Sequence, residues 1–139
     1  MSSTLTKVQT ALETAWATDP LVDYPVQYQN MSAPDVDTAW CRVWFMPNPP
    51  APVRVGPSPQ TYADRVTGTF QIDIFYPIGI GSAQERTDFE LIRARFAPTK
   101  TFSYDGANVT IMTCGKTTTT EDGRYRCMIT ITFLAYIDR

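Results

Sequence analysis

This chain of 139 residues has no histidine. That absence removes the commonest general acid–base group, the serine and cysteine triads built on imidazole, and most zinc sites. Blocks of basic residues are also missing, since 12 Lys and Arg are scattered among 14 Asp and Glu for a net charge of −2. A nucleic-acid surface needs a basic footprint to neutralise phosphates, and the bulk charge supplies none. No apolar run approaches the roughly 18 residues needed to span a bilayer. The start, Met1-Ser2-Ser3-Thr4-Leu5-Thr6-Lys7, lacks the apolar centre of a secretory signal. Cysteines are few and odd in number: Cys41, Cys114 and Cys127, with no metal-clip spacing. Cys41 and Cys127 fall in apolar, strand-like runs and read as small buried hydrophobes, in keeping with a reducing compartment.

The length fits one domain, residues 1–139, able to bury a core without a disulfide or a metal. Leu5, Val8, Leu12 and Ala15/Trp16 recur at helical spacing, which predicts a helix over 4–17, ended by Asp19-Pro20. Val26 to Asn30 alternates as a short strand. Residues 39–46 alternate more strongly, with Ala39, Cys41, Val43 and Phe45 on one face and Trp40, Arg42, Trp44 and Met46 on the other. The two tryptophans imply that this second face is covered too, by this chain or by a neighbour. Six of eleven prolines then lie between 47 and 66, which predicts a long loop that orders on contact with a partner and carries Arg54, Tyr62, Asp64 and Arg65.

A strand follows over 68–76, with Phe70, Ile72, Ile74 and Tyr76 alternating with Thr69, Gln71, Asp73 and Phe75. Ser82-Ala83-Gln84-Glu85 forms a capping box, with Glu85 reaching back to a free amide, and opens a second helix over 83–96. Phe89, Ile92 and Phe96 mark its buried stripe, with Leu91 beside it. In the remainder, Thr101–Tyr104 and Val109–Cys114 flank Asp105-Gly106, and strands near 116–120 and 124–137 flank Glu121-Asp122-Gly123. The fold class is therefore α+β: a mainly antiparallel sheet of about six strands with two helices on one face, in the order α-β-β-β-α-β-β-β.

Candidate chemistry is thin. Gly79-Ile80-Gly81 before a helix invites a phosphate-loop reading. A P-loop needs a Lys that is not there, and a dinucleotide fingerprint needs a third glycine where Gln84 stands. A turn between strand and helix accounts for both glycines. Asp19/Asp23 and Asp35/Asp37 are loop carboxylates beside prolines and read as solvated turn residues. Asp73 sits between isoleucines in an apolar strand, so alternation turns it toward solvent or a partner, as an exposed residue or half of an interface salt bridge.

Residues 65–82 carry an Arg, a Gly-x-Phe-Gln-Ile strand, an aromatic-Pro ending and a Gly-x-Gly turn. With the N-terminal helix, Val26-Gln27-Tyr28-Gln29-Asn30, Ala39-Trp40-Cys41-Arg42-Val43, Arg95-Phe96, Asp122-Gly123-Arg124-Tyr125 and the long last strand, this layout over 4–137 resembles the tail terminators of long-tailed bacteriophages. The Pro-rich segment 47–66 matches nothing in that pattern. The resemblance implies a compact α+β subunit, without enzymatic activity or cofactor. It implies a homo-oligomeric, six-fold ring that caps the head-proximal end of the tail tube and docks the head–tail connector. It places the protein in the tail and neck of the virion, assembled in the host cytoplasm, with DNA passing through the ring but no sequence-specific contact. Trp40, Arg42, Trp44, Arg54, Tyr62, Asp64, Arg65 and Asp73 are the residues expected at contacts with copies or partners; core packing under a helix is the other reading of the tryptophans. The rival assignments are another neck component, such as a connector stopper, and a small ligand-binding domain using the Gly79–Gly81 turn.

Overall fold

The computed structural model describes residues 4–18, 21–22, 24–28, 39–49, 51–55, 61–77, 82–121 and 124–138. Helix α1 (Thr4–Ala17) is followed by strands β1 (Val26–Gln27), β2 (Trp40–Pro47), β3 (Ala51–Val55) and β4 (Thr61–Pro77). Helix α2 (Ser82–Arg95) then leads into β5 (Thr101–Tyr104), β6 (Ala107–Glu121) and β7 (Arg124–Asp138). The strands form one seven-stranded sheet in the order β1-β2-β4-β7-β6-β5, with β3 on the same side of β4 as β2. All pairs are antiparallel except β1 with β2, which run parallel. The α+β layout with two helices on one face matches the sequence reading, and the seventh strand comes from the Pro-rich segment.

Period-two alternation decides which face is covered. Cys41, Val43 and Phe45 of β2 are buried, as are Phe70, Ile72, Ile74 and Tyr76 of β4 and Cys127, Ile129, Ile131, Phe133 and Ala135 of β7. Val8, Ala11, Leu12 and Trp16 of α1, Ile92 of α2 and Phe96 just after it close over them to make a single core. The helices are also joined to each other: the Arg95 guanidinium donates to the Ala15 carbonyl at 3.1 Å and the Thr18 carbonyl at 2.8 Å. Those carbonyls end α1 and have no intrahelical donor, so a cation there satisfies them and opposes the helix dipole.

Segment 47–66 departs from the expected loop. The backbone of β3 pairs with β4 from Ala51↔Arg65 to Val55↔Thr61, so β2, β3 and β4 make one long hairpin. Proline excludes a strand only where its missing N–H would be needed. Pro47 ends β2 opposite Gly68, and Pro52 lies in β3 opposite Asp64; among the described residues β3 pairs with β4 alone, so its alternate amides need no partner there. Residues 56–60, at the hairpin tip, lie outside the described residues, as do Gly79–Gly81, Asp122-Gly123, and the carboxylates Asp19, Asp23, Asp35 and Asp37.

Gly68 meets a steric demand where β2 crosses close to β4. A Cβ there would lie 2.5 Å from the Met46 carbonyl oxygen and 2.7 Å from the Pro47 Cα. At the β5–β6 turn, Asp105 and Gly106 take positive φ values of 46° and 85°, the conformation expected of that dipeptide in a two-residue hairpin. β6 continues through the expected break at 115 as one strand, with a bulge at Met112 that shifts its register against β7.

Candidate assembly surface

The face of the sheet opposite α1 and α2 carries the even-numbered residues of β2 and the odd-numbered residues of β4. Four of the residues singled out from the sequence, Trp40, Arg42, Trp44 and Asp73, meet there. Asp73 is fully buried, contrary to the exposed or interface position expected of it. Its neighbours explain why. Arg126 Nη2 donates to Asp73 Oδ2 at 2.6 Å, Arg42 Nη2 to the same oxygen at 3.3 Å, and Gln71 Nε2 to Oδ1 at 2.9 Å. Register places Arg42, Asp73 and Met128 in one row across β2, β4 and β7, with Phe75 opposite Arg126 in the next. The salt bridge that the sequence suggested at an interface is thus made within one chain.

Aromatic rings wall in this ionic centre. Trp40 stacks on Phe75 with ring centroids 4.4 Å apart and planes 15° apart. The Arg42 guanidinium lies 3.8 Å from the Trp44 ring centroid and 5.1 Å from that of Phe75. Such cation–aromatic contacts are worth most where water is excluded. Trp40 and Trp44 are half-buried on the face away from the helices, so neither packs under a helix. The result is a patch of stacked rings and partly exposed guanidinium groups.

The remaining expected contact residues lie elsewhere. Arg65 is exposed near the base of the β3–β4 hairpin, opposite Tyr136 of β7. Arg54 pairs with Tyr62, and Asp64 with Pro52, along the hairpin arm. Between patch and arm, Asn48, Arg65, Thr67, Thr69, Met112, Leu134 and Tyr136 surround a shallow concavity of about 500 Å³. Met112 and Tyr136 are among the most exposed large apolar side chains.

Two carboxylates of α2, Glu85 and Asp88, are buried, which the sequence reading did not foresee. Glu85, assigned to the capping box, accepts from Lys116 Nζ at 2.8 Å and from Cys127 Sγ at 3.3 Å, both at Oε1. Asp88 accepts from the hydroxyls of Tyr76 at 2.6 Å and Tyr24 at 2.8 Å, and from Gln84 Nε2 at 3.0 Å. Burial and the Asp88 hydrogen bond push the Tyr24 hydroxyl up to about 12 and raise Tyr76 as well. Burial likewise pushes the Cys41 thiol up to about 12, and raises Cys127, which also faces Glu85. Thiols held in the protonated form are poor nucleophiles. Glu85 and Asp88 fall on the same helical stripe as Phe89, Ile92 and Phe96, a signal visible in the spacing but masked by their charge. Leu91, expected beside that stripe, is exposed. Among the described residues no group of three or more Cys, Asp or Glu is placed to hold a metal ion, and no helix is long and apolar enough to cross a membrane.

The model of the phage tail terminator protein family matches residues 7–133, nearly the whole chain. This protein belongs to the phage tail terminator family. Tail terminators are non-catalytic structural proteins of the tail and neck of the virion, assembled in the host cytoplasm, and that is the class of role this chain has. A solved structure superposes with a TM-score of 0.69 at 24% identity, covering 97% of this chain and 96% of the other, which shows a like fold over nearly the full length. No curated protein sequence matches the chain. The Pro-rich segment, unmatched when the sequence was read by motif, falls inside the span that the family model covers.

Proposed function

We propose that this tail terminator acts as a homo-oligomeric ring, six copies in number, seated on the head-proximal end of the tail tube. The ring stops tube growth sterically and presents its opposite face to the head–tail connector; no bond is made or broken. The observation that carries this reading is the family match over residues 7–133. Three structural features support it. Among the described residues, helices cover only one face of the sheet. The other face bears a Trp40–Arg42–Trp44–Phe75 patch of the composition that anchors interfaces. The β3–β4 hairpin, with Arg54, Tyr62, Asp64 and Arg65, reaches two residue pairs beyond the last β4–β7 pair, Ala63↔Asp138. In this reading the patch and the arm are the contacts to neighbouring copies and to the tube.

The test is an infection lacking this protein, examined by electron microscopy, together with micrographs of the purified protein mixed with tail-tube subunits. The expected outcome is over-long or unjoined tails without the protein and six-fold rings seated on tube ends with it. Filled heads that leak DNA while tails keep normal length would instead assign a connector stopper.

A further inference from the structure

The two edges of the sheet differ. On one side β2 is partly covered by β1, which pairs at Cys41 and Arg42. Further along that side Pro47 and Pro52 each remove an amide that would point outward. On the other side β5 covers β6 only over Ala107–Thr110. Beyond Ile111, which exchanges backbone bonds of 2.8 Å with Thr99 and Lys100, no described strand pairs with the outer edge of β6. Gly115 to Thr120 are all exposed. The segment has no proline, and its threonine run 117–120 strongly favours extended backbone.

The phase of this edge follows from the bonds. Ile111 points its N–H and C=O toward β5, and the bulge at Met112 shifts the alternation by one residue. Cys114, Lys116, Thr118 and Thr120 therefore direct both backbone groups outward. Beyond the bulge the open edge is long, and such an edge is a template for another strand.

We propose that this edge of β6 is completed by strand β3 of a second copy, so that subunits of the ring are joined through a continuous sheet. This inference rests on the ring reading above. Direction supports the choice of occupant. β6 is antiparallel to β7, β7 to β4, and β4 to β3, so β6 and β3 run in opposite directions. The register sets Thr118 level with Ile74 and Pro52 level with Asp64, ten residues apart along β4; strands tilted to the ring axis supply that stagger, as in closed barrels, and the next copy's β3 then meets β6 in the antiparallel sense. A ring needs two different complementary surfaces on each copy, and these two edges meet that requirement. On β3, Pro52 cannot donate to β4, so Pro52 and Arg54 are the residues whose backbone faces outward. Arg54 offers an N–H and a C=O and Pro52 only a C=O, which limits the registers that pair well.

The experiment uses Thr118→Pro in the full chain. Proline at 118 removes an outward amide and leaves the β6–β7 ladder intact. The expected result is an unchanged circular dichroism spectrum and melting temperature at low concentration, with self-association requiring at least about tenfold more protein by light scattering. Arg54→Pro is expected to act in the same way, whereas Arg54→Ala, which keeps the amide, retains assembly. Rings formed by T118P at wild-type concentrations would overturn the proposal, and rings that form but no longer seat on tubes would assign the edge to the tube subunit instead. Wild-type protein that stays monomeric even with tube subunits would overturn the ring reading and this inference together. Should T118P fail to fold, hydrogen exchange on the wild type decides the question. The Lys116, Thr118 and Thr120 amides are expected to exchange fast in dilute monomer and slowly in the assembly; equal rates in both would refute the pairing.

Discussion

Asp73 lies on the face of the sheet away from both helices, yet it is fully buried, because two arginines and a glutamine converge on it. Removing one partner of such a group leaves the others desolvated and unmatched, which costs more than the interaction contributed. The side chains of Arg42 and Arg126 keep 25% and 15% exposure, so water softens the loss. Asp73→Ala is expected to lower stability by about 3 kcal/mol, read as a shift in the urea midpoint. Gly68→Ala is expected to cost about 2 kcal/mol, because its Cβ would enter the backbone of Met46 and Pro47 and neither can move without shifting β2. The buried hydroxyls and thiols set a pH limit. Tyr24, Tyr76 and Cys41 hold their protons in the folded state beyond the values of 10, 10 and 9 at which the unfolded chain releases them. Their contribution is complete below pH 9 and is lost as pH rises from 9 toward 12. The melting temperature is expected to be flat from pH 7 to 9 and to fall from pH 9 to 11, with tyrosinate absorbance lagging in the folded protein.

At the scale of elements, the β3–β4 hairpin separates folding from assembly. β3 pairs with β4 alone, and the sheet below it is held by β4–β7 pairing from Ala63 onward. Replacing Pro52–Asp64 with an Asn-Gly turn, which closes a two-residue hairpin on the hydrogen-bonded pair Ala51↔Arg65, is expected to leave the monomer folded. Its melting temperature should stay within a few degrees of wild type while ring formation is lost; a collapse of the melting temperature would show that the arm supports the core. α2 behaves differently. Its N-terminal half is attached through Glu85 and Asp88 rather than through apolar side chains, and Arg95 at its other end fastens the terminus of α1.

For the whole molecule, assembly is coupled to stability by mass action, since partners bind the folded chain and not the unfolded one. Raising the protein concentration tenfold through the range where rings form is expected to raise the melting temperature, and T118P is expected to remove that dependence. The same comparison made by calorimetry separates subunit folding from ring contacts, because monomer unfolding does not depend on concentration.

Much of this architecture was legible in the linear chain because it rests on local periodicity. The helical spacing of Leu5, Val8, Leu12 and Trp16 marks α1, the alternation in 39–46, 68–76 and 124–137 marks the three central strands, and Asp105-Gly106 marks a turn whose φ values only such residues adopt readily. Family membership followed from the same pattern, since the order of elements is itself a property of the sequence. What remained hidden depended on neighbours distant along the chain. Proline appeared to exclude strands from 47–66 until the sheet left β3 an unpaired side where missing amides cost nothing. Asp73 appeared solvated, Glu85 marked a helix start and Asp88 gave no signal of its own; their burial came when Arg126, Lys116 and Tyr76 were brought within hydrogen-bonding distance from 53, 31 and 12 residues away. Periodicity reports which face a side chain takes; only the packed chain decides what stands opposite it and which strand edge is left open.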